Sequence, residues 1–376
     1  MKKLSIYIHI PFCDHKCIYC DFYSLITTEN KLSYLDEIKT EIEFYANEYS
    51  NGREVVSIFF GGGTPSLVEP EYISEILDTL KTHFLISENA EITLETNPGT
   101  VDRQKLIQFR RIGINRLSIG IQSFNDNELK FLTRIHNSST AVKTVTDAEA
   151  AGYKNVNIDL IFNLPGQTKK IWQENLSQAM KLPITHISAY SLILERGTIL
   201  NKMVLDKKVV LQDDDYDADL YEHTIEYLTQ NNFLQYEVSN FAAKGFECIH
   251  NNTYWGHGEY LGFGTSAHSF IGNKRWWNFS SLKFYLSEMQ KKGFAEAGSE
   301  ILSSKEMSDE FVMLSLRSKG LLMENREYFD ADEWKLKNIA LITELESEKF
   351  LYNSGNFLKL SPKGYAVCDE ILTRFL

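Results

Sequence analysis

LSIYIHIPFCDHKCIYCDFYS (residues 4–24) sets the fold and the chemistry together. The first seven residues alternate and are β-rich, so they read as a strand. Directly behind it come Cys13, Cys17 and Cys20, spaced C-x3-C-x2-C, three of the chain's five cysteines. A short run of thiols just past a strand, with no second C-x2-C anywhere, is one ligand short of a closed metal site. Thiolates bind zinc or iron–sulfur clusters. His9 or His15 could complete a zinc site. A cubane [4Fe–4S] cluster fits better: three thiolates hold three irons and leave the fourth open to a substrate or cofactor.

Outward from that strand, strands and helices alternate. Strands are read at 4–10, 55–60, 91–96, 116–123, 155–162 and 186–193. Helices are read at 31–49, 69–84, 102–113, 169–182 and 215–232, and in NDNELKFLTR and AVKTVTDAEAAG. Six β-α units predict a parallel sheet with helical crossovers. Several strands are apolar on both faces, as a covered parallel sheet requires. Six units rather than eight predict an incomplete (β/α)6 TIM-like barrel, open on one side for a large substrate. The unusual residues fall where such strands end, at the edge where ligands gather: the cysteine loop, Gly61-Gly62-Gly63-Thr64-Pro65, Glu95, Gln122 and, within its strand, Asp159. The glycine run is not a P-loop, because no Gly-Lys-Ser/Thr follows. By itself it could be a tight strand–helix turn. Likewise Glu95, Gln122, Arg134 and Asp159, taken singly, could be surface groups or structural ion pairs. A strand carboxylate is costly to bury alone, and placement around one rim favours a shared ligand.

Domain organisation is read as a barrel over 1–235, a Gly- and aromatic-rich connecting region over 236–300, and a small α+β C-terminal module over 301–376. Helix, helix, hairpin in that module is also a winged-helix pattern. The whole chain of 376 residues carries Lys+Arg 39 against Asp+Glu 51, net charge −12, which argues against a general nucleic-acid binder. Hydrophobic residues at 43% and charged residues at 24% are an ordinary globular balance. No apolar run approaches the ~20 residues that span a bilayer. The N-terminal apolar run is broken by His9 and Pro11 and lacks a signal-peptide cleavage site. A cytoplasmic location is expected, with peripheral contact to a membrane left open. In a reducing compartment the cysteine cluster favours metal over disulfide. Cys248 and Cys368 read as buried thiols that pack as small hydrophobes.

C-x3-C-x2-C behind an N-terminal strand resembles the radical S-adenosylmethionine (SAM) superfamily. Tyr19, before the third cysteine, matches that family's habit, and the glycine run resembles its "GGE"-like element. The likeness goes further. IYIHIPFC, FFGGGTPS, LETNPG, RLSIGIQSF, LTRIHN and NIDLIFNLPGQT together are similar to the oxygen-independent coproporphyrinogen III oxidase (HemN) family across nearly the whole chain. The resemblance implies a [4Fe–4S] cluster on Cys13, Cys17 and Cys20, and SAM contacts from Tyr7, Tyr19, Gly62, Gly63, Thr64, Glu95, Gln122, Arg134 and Asp159.

Two departures matter. True oxidases carry a fourth cysteine two residues after the third, where this chain has Phe22. They also carry an N-terminal segment that helps cover the porphyrin, whereas 12 residues precede Cys13 here, so no such segment is expected. Both features resemble the HemW branch, viewed as heme chaperones, which shares an H-N-x-x-Y-W motif. Here that motif is His250-Asn251-Asn252-Thr253-Tyr254-Trp255. It implies heme as a ligand, with His250 as the axial group and aromatics stacking on the macrocycle. His257, His268, Trp276 and Trp277 stand nearby, with Lys274 and Arg275 as propionate partners. The bland alternative is a packed aromatic turn with a hydrogen-bonded histidine. Expected partners are heme, heme-accepting proteins (membrane respiratory proteins among the options), an electron donor and a second copy of the chain, with no nucleic acid. The competing readings are the oxidase itself, decarboxylating porphyrinogen propionates, and a cluster- or zinc-containing nucleic-acid-binding module. Whether the chain is an enzyme stays open, because SAM cleavage does not follow from SAM binding.

Overall fold

The computed structural model describes residues 1–27 and 29–376. Strand β1 (Lys2–Ile10) shows the logic of the first half. Leu4, Ile6, Ile8 and Ile10 are fully buried under helices. Ser5, Tyr7 and His9 take the opposite face, as the period of two requires. Helix α1 (Lys31–Tyr49) follows, then β2 (Arg53–Gly62), α2 (Pro70–His83), β3 (Leu85–Thr96), α3 (Arg103–Ile112), β4 (Arg116–Gln122), α4 (Asp126–Phe131), α5 (Ser138–Ala150), β5 (Asn155–Phe162), α6 (Lys169–Ala179) and β6 (His186–Ser191). Helix α1 turns Tyr34, Leu35, Ile38, Ile42 and Tyr45 inward at helical spacing. Local signals set the helix ends. Asp102 caps α3 by accepting the Lys105 N–H, and Gly113 closes it at φ 116.

Then come α7 (Ile199–Leu205), α8 (Asp214–Gln230), β7 (Leu234–Gln235), β8 (Asn240–Ala242), α9 (Ile249–Trp255), β9 (Glu259–Phe263), β10 (His268–Ile271), β11 (Lys274–Asn278), α10 (Leu282–Lys292) and β12 (Glu296–Ile301). The sheet has twelve strands in the order β12-β11-β10-β9-β1-β2-β3-β4-β5-β6-β8-β7. Strands β9 and β1 to β6 form its parallel run, and the outer strands attach antiparallel. Its two ends do not pair with each other among the described residues, so the barrel of six β-α units is incomplete. The sequence reading treats 236–300 as a connecting region. Instead, β8 to β11 and most of β12 lie within it and extend the same sheet. These strands are short and glycine-broken, and they are recruited through long-range pairs such as Leu4 with Glu259.

The barrel lumen is polar. Ser5, Ser57, Glu91, Arg116, Asn157 and His186 are all buried there. Several partner one another: Ser57 Oγ donates to Ser5 Oγ at 2.7 Å, His186 Nδ1 meets Asn157 Oδ1 at 2.6 Å, and Arg116 Nε lies 3.8 Å from Glu91 Oε2. On the outer side, buried Glu41 of α1 accepts from the Gly264 N–H (2.9 Å), Asn278 Nδ2 (2.6 Å) and Tyr285 Oη (2.7 Å), stapling α1 to the added strands and α10.

A second core gathers Phe311, Leu316, Phe329, Ile342, Leu358 and Ile371. It belongs to α11 (Ser304–Leu316), β13 (Leu321–Leu322), α12 (Ala331–Ser347), β14 (Leu351–Ser354), β15 (Phe357–Leu360), α13 (Pro362–Ala366) and α14 (Cys368–Phe375). Three of these strands form a small antiparallel sheet, β13-β15-β14. Helices α13 and α14 are separated by a break at Val367, which sits at φ −120, ψ 31.

Candidate functional site

The cysteine loop leaves the carboxyl end of β1 and is tied at its neck. The Cys13 N–H donates to Leu25 O at 2.9 Å and the Leu25 N–H to Pro11 O at 2.7 Å. Across the barrel mouth, Thr133 receives the Ile18 N–H (3.3 Å) and meets His15 Nε2 (3.2 Å), and the Leu200 N–H donates to Ile18 O at 2.9 Å. Tyr19 packs beside Leu132, Ile161 and Leu164. The loop therefore rests on three separate elements, which keeps all three thiols half-buried at the rim.

The glycine run explains how closely the next strand can approach. A Cβ on Gly62 would lie 2.6 Å from the His9 ring, and one on Gly63 would lie 2.7 Å from Phe12 O. Gly62 also has φ 113, which favours glycine. The Gly63 and Thr64 N–H groups donate to Ile10 O and Phe12 O, both at 2.8 Å. Thr64 is thereby set beside the first cysteine, its Oγ1 3.5 Å from Cys13 Sγ. On the other flank, Arg134 Nη1 lies 3.6 Å from Cys17 Sγ. Sequence reading does not single out the residue between them. Asn97 accepts from Arg134 Nη2 at 2.6 Å and donates to Thr64 Oγ1 at 2.8 Å. Its signal was the Asn of LETNPG, a polar residue just past a strand end. Arg134 Nη2 also donates to Gly120 O at 2.7 Å, while its Nε is buried without a partner. Asp14, His15, Cys17, Thr64, Asn97, Thr100, Arg134 and Ile135 line one small cleft.

Deeper in the lumen, Glu95 Oε2 accepts the Gly62 N–H at 3.0 Å. Burial, reinforced by Asp159, pushes its carboxyl up to about 8, so it is a neutral acid at pH 7. Asp159 accepts from Asn157 Nδ2 at 2.7 Å and is also raised by burial. Tyr7 meets His9 Nδ1 at 3.0 Å, and His9 Nε2 lies 3.1 Å from Tyr23 O. A carbonyl oxygen only accepts, so Nε2 carries the proton and Tyr7 donates to Nδ1. Gln122 ends β4 at φ 70, with Nε2 2.9 Å from where a Gly120 Cβ would stand. The site thus gathers Cys13, Cys17, Thr64 and Arg134 around Asn97, with Glu95, Asp159 and Tyr7 below. Burial raises the thiols of Cys13 and Cys20, the latter to about 11, so a metal must displace protons to bind.

His250 stands elsewhere. It is the second residue of α9, which closes the floor of the barrel, with Cys248, Ile249 and His250 all reaching Glu91. Its Nδ1 lies 3.0 Å from Ser57 Oγ and its Nε2 2.8 Å from Tyr254 Oη, and it is only 2% exposed. Its ring stacks on Phe59 at 5.0 Å. Both nitrogens are taken and burial lowers its pKa to about 3. The sequence reading of His250 as axial heme ligand requires one of these hydrogen bonds to open; the arrangement here is that of the packed, hydrogen-bonded alternative.

An open α/β barrel whose first strand delivers three thiols beside a glycine-lined second strand defines a radical SAM protein. The radical SAM superfamily model matches residues 7–179. Such a domain implies a [4Fe–4S] cluster and SAM. The heme chaperone HemW of Lactococcus lactis subsp. lactis is 33% identical, covering 100% of this chain and 98% of the relative. That of Bacillus subtilis is 31% identical, covering 99% of each. Coproporphyrinogen III oxidase (HemN) from Escherichia coli is similar in structure, with TM-score 0.83, 25% identity, and cover of 100% of this chain and 90% of that one. The chain belongs to the HemW heme chaperone family. No helix of the described residues is long and apolar enough to cross a membrane.

Proposed function

We propose that this chain binds heme and hands it to acceptor proteins, with a [4Fe–4S] cluster held by Cys13, Cys17 and Cys20 and SAM held beside it. The donor set supports the cluster: three thiols on one tied loop, with a cation and a hydroxyl already aimed at two of their sulfurs. When bound, the cluster supplies single electrons to SAM. Arg134 and Thr64 orient and hydrogen-bond the sulfurs. The unpartnered Arg134 Nε is the donor left for a carboxylate. Glu95, kept neutral, fixes the Gly62 backbone and retains an O–H to donate. Tyr7, Gln122, Asp159 and the exposed backbone of Gly62 and Gly63 are the remaining groups proposed to contact SAM, with Tyr19 bracing the loop.

The observation that carries the chaperone reading over the oxidase is Phe22. Where an oxidase would place a further thiol, this chain puts an apolar ring that is 65% exposed, turned outward from the loop. The test is a hemin titration of the anaerobically reconstituted chain, followed by mixing with an excess of apomyoglobin. Saturable binding and transfer of the Soret band to the acceptor are expected. Vinyl product from coproporphyrinogen III under reducing conditions, without hemin binding, would reverse the reading.

A further inference from the structure

Heme iron is held by histidine, cysteine, methionine or tyrosine side chains; a histidine in that role needs an open nitrogen, and the nine histidines can be sorted by that need. His9, His186 and His250 are buried with both nitrogens engaged. His136 is buried against Ile121 O. The His257 side chain is 3% exposed, wedged between Glu310 and Tyr328. His15, His83 and His223 engage Nε2 alone, with Thr133, Glu43 and Gln173, so their surroundings rather than their nitrogens set them apart from His268. His268 is exposed and makes no side-chain hydrogen bond among the described residues.

Its surroundings suit a flat ligand. His268 pairs with Trp277 across β10 and β11, and Trp277 pairs with Gly298 across β11 and β12. Paired residues point to one side of a sheet. The His268 and Trp277 rings stack at 5.9 Å and 30°. A Cβ on Gly298 would lie 2.7 Å from the Trp277 ring, so the indole lies flat over that glycine. On the other side, Phe270 pairs with Tyr260, which puts His268 and Gly262, two residues along each strand, on that same face. Gly262 pairs in turn with Tyr7 of the lumen. The result is a transverse row, Tyr7–Gly262–His268–Trp277–Gly298, in which glycines flank the imidazole and indole. From β9 to β12 it crosses three strand gaps, about 14 Å, on the breadth of a porphyrin. Partial desolvation at its exposed position and then the Arg275 charge lower the His268 pKa, which favours the neutral ring.

We infer that His268 is a heme ligand, with the macrocycle held beside Trp277 at this face of the sheet. This rests on the heme-binding reading above. The experiment titrates hemin into the cluster-reconstituted full chain, read as difference spectra, for wild type, His268→Ala and His250→Ala. The expected result is saturable wild-type binding, affinity at least about tenfold weaker in His268→Ala, and recovery of the wild-type Soret position when imidazole is added to that variant. His250→Ala keeps the wild-type Soret position. His268 is exposed on a strand, so its truncation leaves folding intact, and matched circular dichroism checks this. Wild-type-like binding by His268→Ala, or a loss that imidazole does not restore, overturns the assignment while leaving the heme reading standing. Absence of saturable binding by the wild type removes both.

Discussion

Removing Asn97 tests how the cluster loop is held. In Asn97→Ala, Arg134 Nη2 keeps only Gly120 O, and Thr64 loses the amide that fixes its hydroxyl. The bond to the charged guanidinium is worth about 1.5–3 kcal/mol and the bond to the threonine about 0.5–1.5. The expected destabilisation is therefore about 2–4.5 kcal/mol. Unfolding entropy near 2.1 cal/mol/K per residue gives about 0.6 kcal/mol/K over a barrel unit of roughly 300 residues, so Tm falls by roughly 3–7 °C. The second effect is electrostatic. Arg134 and Thr64 point at Cys17 and Cys13, and donors to sulfur favour the reduced, more negative cluster. Loosening both lowers the one-electron reduction potential. At 59 mV per 1.4 kcal/mol, partial loss of two weak contacts amounts to roughly 30–100 mV. The assay is an EPR-monitored redox titration of anaerobically reconstituted wild type and variant, with thermal melts of the same samples and iron and sulfide counted per chain. Unchanged potential with full iron content refutes the claim that Asn97 tunes the thiols, and unchanged Tm refutes the clamp itself.

Three further outcomes follow from buried groups. Glu95, raised to about 8 from an ordinary 4.5, contributes stability that is complete below about pH 4.5 and is lost as pH rises through 8; Glu95→Gln should flatten the alkaline fall of Tm between pH 5 and 9, and parallel curves would contradict the assignment. Glu41→Ala strips the acceptor from the Gly264 N–H, Asn278 and Tyr285 and should cost roughly 3–5 kcal/mol in denaturant unfolding; a cost under about 1 kcal/mol would show the staple is dispensable. His250→Ala empties a stacked, doubly hydrogen-bonded site and should cost about 2–4 kcal/mol while hemin affinity stays within about twofold; a normal melt with lost hemin binding would restore His250 as the ligand.

The cysteine loop was legible because its chemistry needs thiols close together in the chain, and β1 because its alternation is local. What escaped depends on distant partners. The strands of 236–300 are short and broken by glycines, and β9 is recruited by β1 through Leu4 and Glu259. Asn97 lay inside a motif already noticed, yet its role requires Thr64, 33 positions back, and Arg134, 37 positions on. His250 is the opposite case. Its motif named a ligand-type residue, but whether an imidazole nitrogen is open or occupied depends on Ser57, far off in the chain, and on the tilt of α9 that brings Tyr254 back to it.

That packing gives the HNNTYW helix a structural part. Its N-terminus sits on Glu91, Thr253 Oγ1 meets Ser5 Oγ at 2.7 Å, and Tyr254 packs edge-on to Tyr260 at 4.6 Å. Each of these partners is a strand residue, so α9 is a floor built into the barrel. Above it, the Tyr7 ring lies 6.3 Å from His250, and Tyr7 reaches the end of the cysteine loop through His9 and Tyr23 O. Beside it, Tyr260 pairs with Phe270, two residues from His268. The floor is thus packed into one wall, the strand face that carries both the cavity proposed for SAM and the row proposed for heme. A residue buried in that wall can matter to both sites without touching either ligand. A histidine pinned at both nitrogens is suited to that work, and an axial ligand, which must keep one nitrogen open, is not.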